Sequence, residues 1–162
     1  MQKNENKAVT RPAGLPRRLM AMIYDSLLLA AILMVAALPP VLLAGGAMPN
    51  PLARLVFQLY LGGIAFLFFS WFWVHGGQTL GMRAWRLKVV ALNGQTVGWQ
   101  TALIRFLFAL VSAASLGLGY LWVLIDPERR AWHDRISKSR VVVLPKIKKH
   151  GLNDSSHQDD GE

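Results

Sequence analysis

The chain contains no cysteine, which removes a disulfide framework, a thiolate metal site and a cysteine nucleophile and leaves the redox compartment open. Charge is scarce as well. Only 17% of the 162 residues are charged, against 53% hydrophobic ones, too few to cover the surface of a soluble domain. The apolar residues must face something other than water. Acids are the scarcer sign, and the formal net charge is +9. The Lys and Arg residues cluster between long apolar runs instead of along one soluble face, which argues against nucleic acid and for anionic lipid headgroups. The G-x-S-x-G, H-E-x-x-H, P-loop and dinucleotide fingerprints are all missing, so neither an enzyme nor a cofactor is expected.

Three apolar runs dominate what is present. Leu19 to Leu38 carries a single charge, Asp25, and the Pro39-Pro40 pair is expected to stop its helix. At ~1.5 Å per residue such a run spans roughly 30 Å, the thickness of a bilayer's hydrocarbon core. Leu55 to Val74 has no charge, and Tyr60, Trp71 and Trp73 near its ends suit the headgroup level. Five basic residues precede the first run, but it is longer than a secretory h-region and no A-x-A site follows it. It reads as an uncleaved span. The third run, Phe106 to Ile125, is interrupted by Ser112, Ser115, Gly117 and Gly119, a poor composition for one straight helix.

The loop charges orient these runs. Residues 1–18 hold five basic residues, the connection from Pro39 to Arg54 only Arg54, residues 75–105 four, and the tail beyond Asp126 eight. The first two runs therefore form a hairpin with both flanks in the cytoplasm and the tip GGAMPNP outside. A single straight third crossing would put the eight-plus tail on the opposite face. A broken helical hairpin, re-entrant near Ala113 to Gly119, would return it to the cytoplasm, provided protein shields the non-helical backbone. Strand-like runs at Leu87–Leu92, ending in Asn93-Gly94, and at Val141–Leu144 favour the hairpin, because their pairing would hold both ends of the third run together. The expected architecture is an all-α membrane protein: two transmembrane helices, a broken third segment or single span, and a small cytoplasmic β element. It occupies residues 13–145, between a disordered basic segment, 1–12, and a disordered tail, 146–162.

Asp25 is the most informative position, because a carboxylate inside a span costs about 2.5–3.5 kcal/mol on insertion scales and needs a partner or a cavity. Arg18 lies seven residues earlier and is expected to snorkel to the headgroups. Arg105, about one turn in if the third helix begins near Thr101, is the expected partner of Asp25. The pair would either fix helix register or form a titrating or cation-binding site on a transport path. His75, His133 and Asp134 supply too few ligands for a metal site, and a structural turn is favoured for the last two. Gly76 to Gly81 resembles a phosphate loop but lacks the following Lys-Ser/Thr, and reads as a flexible exit from the second span with Thr79 as an N-cap. Arg83, Trp85, Arg86 and Lys88 form a basic and aromatic mixture suited to lipid anchoring, with KIKKH adding attraction to anionic lipid.

These segments also carry a family resemblance. R-R-L-M-A-M-I-Y-D at Arg17–Asp25, G-G-Q-T-L-G-M-R at Gly76–Arg83, the L-K-V-V-A-L-N-G-Q run, A-L-I-R at Ala102–Arg105 and W-H-D-R at Trp132–Arg135 resemble the RDD family of small bacterial membrane proteins over about residues 12–145. By position, the name-giving arginine and two aspartates correspond to Arg18, Asp25 and Asp134. Met82 stands where the family usually has Lys, and Ser137-Lys138-Ser139 where it has a small-residue turn. The resemblance implies a bacterial inner-membrane location and a role in transport of a small ion or solute, with a monovalent cation or proton as ligand. So few helices would enclose a path only as a homo-oligomer or with another membrane protein. The alternative is a non-transporting adaptor or assembly factor that binds lipid or a membrane protein.

Overall fold

The computed structural model describes residues 11–46 and 50–145. The KIKKH stretch, the middle of the GGAMPNP tip, residues 1–10 and the tail from 146 lie outside them. Two long helices form an antiparallel pair, α1 at Leu15–Leu43 and α2 at Pro51–His75. Both are long and apolar enough to cross a membrane. Helix α1 continues one turn past Pro39 and Pro40, contrary to the expected stop. Proline's fixed φ suits a helix but removes the N–H that would bond the carbonyl four residues back, and Tyr60 OH donates instead to the Ala36 carbonyl that Pro40 leaves free, at 3.3 Å.

Burial is concentrated at one end of the pair. The buried residues of α1 are Arg18, Ala21 and Asp25, and those of α2 are Ser70 and Trp73. The most apolar stretches of both helices are not covered by any of the described residues. Everything else packs around the buried end: α3 at Leu80–Ala84 against α1, and α4 at Trp99–Ala114 against α2. Phe66 and Phe106 meet edge to face there at 5.5 Å between centroids.

The third apolar run is broken where its small residues predict. Helix α4 ends at Ala114, Leu116 and Gly117 take left-handed backbone, and α5 at Leu118–Leu121 with a following 3-10 turn leaves at 108° to α4. Gly119 makes the return possible: a Cβ there would lie 2.1 Å from Ser112 Oγ. Helix α6, Trp132–Ile136, then packs against α4.

The two strand-like runs pair as expected. Strand β2, Leu87–Ala91, runs antiparallel to β3, Ser139–Val143, in the register Leu87 to Val143 and Ala91 to Ser139. A third strand, β1 at Arg11–Pro12, pairs on the other side of β3, so two residues counted with the basic N-terminal segment belong to the sheet. Proline is tolerated there because an edge strand leaves one row of N–H groups unused. The sheet joins the residues before α1, those after α3 and those after α6 at the buried end of the helix pair.

Candidate functional site

Three elements converge on Asp134, which is fully buried in α6. Arg18 from the second turn of α1 donates from Nη1 to Asp134 Oδ2 at 2.5 Å. Its Nε reaches the Ala13 carbonyl at 3.1 Å and its Nη2 the Arg129 carbonyl at 2.9 Å. Arg105 from α4 donates from Nη1 to Asp134 Oδ1 and to Ser139 Oγ, the latter at 2.7 Å. Asp134 also accepts from the Ala131 backbone N–H at 3.2 Å, which caps its own helix. Burial opposes the charge on Asp134, but Arg105 and Arg18 outweigh it and hold the carboxyl below the usual carboxylate range. Burial also pushes His133 down to about 3. The imidazole is therefore neutral, and its 3.5 Å approach to Asp134 is not an ion pair.

Asp25 belongs to a different arrangement. Its Oδ2 accepts from Thr79 Oγ1, and its Oδ1 accepts from the Gly81 backbone N–H at 2.8 Å. Thr79 Oγ1 in turn accepts from Met82 N at 3.2 Å and caps α3. Gly81 has to be glycine, because a Cβ would meet the Ala21 carbonyl oxygen at 2.3 Å and the Asp25 carboxyl at 2.9 Å. Among the described residues no Arg, Lys or His reaches Asp25 within ion-pair distance.

Three expectations are corrected. Arg105 does not pair with Asp25, because the return of the chain brings Asp134 between the two arginines. Arg18 does not snorkel, because its three guanidinium nitrogens are all engaged inside the protein. The Gly76–Gly81 loop is not a flexible exit either: Gln78 Nε2 donates to the Leu87 carbonyl at 2.6 Å and Val89 N to the Gly77 carbonyl at 2.7 Å. Thr79 does serve as the N-cap. Arg83, Trp85 and Arg86 are exposed and Lys88 is half-buried. His75 lies apart, stacked on Trp71. Among the described residues no three His, Asp or Glu side chains converge as metal ligands.

The arrangements meet at one cavity of about 210 Å³, lined by Arg18, Asp25, Arg105 and His133 as well as by Phe69, Trp73, Phe106, Leu110, Ala113 and Tyr120. Arg105 lies over the Trp73 ring, its Cζ 5.1 Å from the centroid. Sequence reasoning did not anticipate Thr79 and Gly81 as partners of Asp25, nor Ser139 and Trp73 beside Arg105. The G-G-Q-T-L-G-M-R segment carried the only signal for the first two.

Long apolar helices able to cross a membrane, with a buried ion cluster and a small sheet gathered at one end, fit a helical membrane protein. The chain belongs to the RDD family, which it matches over residues 12–138. No curated protein and no solved structure matches it.

Proposed function

We propose that this protein takes part in moving a small ion or solute, such as a monovalent cation or proton, across the bacterial inner membrane, without catalysing a reaction. The observation that carries the reading is the cavity: five ionisable side chains, Arg18, Asp25, Arg105, Tyr120 and His133, line one space between apolar helices. Ionisable groups at such sites commonly mark substrate or ion pathways. The basic flanks support a topology with α1 and α2 crossing, both basic ends in the cytoplasm and the α4–α5 segment re-entrant. The sheet supports it too, because β1 and β3 pair and so belong on one side. Exposed Arg83, Trp85 and Arg86, with the stem of Lys88, would anchor the buried end at anionic headgroups. The path would be completed by a second copy or another membrane protein on the uncovered halves of α1 and α2.

Reconstitution into liposomes with cation-sensitive and pH-sensitive dyes tests the proposal. Flux is expected for the wild type and its loss for Asp25→Asn, with assembly preserved. One observation favours the adaptor reading: every carboxylate oxygen of Asp25 and Asp134 already accepts a hydrogen bond inside the protein. Absence of Asp25-dependent flux for every cation and for protons would leave the adaptor.

A further inference from the structure

The charges around the cavity do not cancel pairwise. Arg18 and Arg105 share one carboxylate, Asp134, so that cluster carries a surplus of one positive charge. Asp25 balances it from the other side of the cavity, held only by the neutral donors Thr79 and Gly81. The titratable and charged side chains facing Asp25 across the cavity are Arg18 on its own helix, Arg105 on α4, Tyr120 on α5 and His133 on α6; α2 and α3 contribute none to the lining. His133 is neutral there.

Three side chains on the cavity have a buried nitrogen without a partner among the described residues, Arg105 Nε, Trp73 Nε1 and His133 Nδ1, and the last takes either role with its tautomer. Arg105, whose side chain is 5% exposed, spends Nη1 on Asp134 and Ser139, while its Nε has no partner among the described residues. The neighbouring Trp73 Nε1 also has none. Both groups can only donate, so what they lack is an acceptor. Around them the wall is apolar, formed by Phe69, Phe106, Leu110 and Ala113. A cavity of about 150 Å³ with such walls accepts benzene; the present one, at about 210 Å³, has room for a ring or short chain and a polar head.

We propose that the cavity binds a small organic acid, a carboxylate on a compact apolar body, which takes the free Nε–H of Arg105 while one accompanying proton resides on Asp25. The inference rests on reading this cavity as the functional site. The acid arrives neutral, its O–H bond breaks, the proton forms an O–H bond on the Asp25 carboxylate, and the resulting anion faces the surplus charge of the arginine cluster. Net charge in the cavity is unchanged, which a low-dielectric site requires. A cation would meet two guanidiniums on the cavity wall.

Equilibrium dialysis of the full chain in neutral-lipid nanodiscs, with benzoate, benzylamine and benzyl alcohol as probes, tests this without any variant. Benzoate is expected to bind on the order of tenfold more tightly than benzylamine, and more tightly in mildly acidic than in mildly alkaline buffer. Asp25→Asn, which mimics the protonated acid, should bind benzoate equally in both buffers. Ala113→Phe, which fills the cavity without touching the ion cluster, should reduce benzoate binding about tenfold at an unchanged melting temperature. Benzylamine binding as tightly as benzoate, no benzoate binding, or an Asp25→Asn protein that keeps the wild-type pH dependence would overturn the proposal. Benzoate binding without flux in liposomes would remove the transport reading and support the ligand class. Cation flux without benzoate binding would do the reverse.

Discussion

Asp134 holds two guanidiniums inside the protein, and its loss leaves both without a carboxylate. Breaking such a buried arrangement from one side costs about 3–5 kcal/mol. Asp134→Asn is therefore expected to lower the thermal midpoint in detergent far more than loss of the surface pair between Glu128 and Arg130, where Glu128 is largely exposed. His133 gives a pH signature. Its folded value is about 3 against 6.5 unperturbed, so the unfolded chain binds a proton that the folded one refuses as pH falls through that window. Stability from neutral His133 is complete above pH 6.5 and declines toward pH 3, at up to about 1.4 kcal/mol per unit. Denaturation midpoints of the wild type and His133→Gln should converge as acid is added; a constant difference would refute the assignment. Gly81→Ala should disrupt the contact between α1 and α3, since its Cβ meets backbone that cannot rotate away.

At the scale of elements, the α4–α5 return depends on small residues. The arm packs with Gly119 against Ser112, and Tyr120 OH donates to the Ala109 carbonyl at 3.3 Å. Gly119→Ala is expected to lift α5 off α4 and raise protease or hydrogen-exchange susceptibility between residues 112 and 126, leaving α2 unaffected. The break was legible because Ser and Gly interrupt the apolar run, and the β2–β3 pairing because β-branched residues end at an Asn-Gly turn, where Gly94 indeed has φ +85°. Strand β1 was not legible: two residues carry no period, and only the free edge of β3 recruits them. Helix α3 was hidden for a similar reason, since five residues hold no turn of amphipathic pattern beyond the Thr79 cap.

For the whole molecule, the sheet constrains topology. Because β1, β2 and β3 form one sheet, cysteines introduced singly at Arg11 and Pro145 should be labelled from the same side of sealed membrane vesicles, and one at Pro51 from the other. The absence of native cysteine makes each label unique. Labelling of positions 11 and 145 from opposite sides would exclude the re-entrant arrangement.

The sequence by itself determined the membrane character, the two long helices, the break in the third run and the identity of the charged residues that matter. Each of those follows from local properties: run length, helix-breaking composition and the cost of a charge within an apolar segment. Only the tertiary structure decided which charges meet. Arg18, Arg105 and Asp134 are separated by more than a hundred positions at the extremes, and their meeting depends on the direction in which α5 returns the chain, which no local pattern encodes. That return delivers Asp134 to both arginines, leaves Asp25 to Thr79 and Gly81, and places Arg18, Asp25 and Arg105 on one cavity.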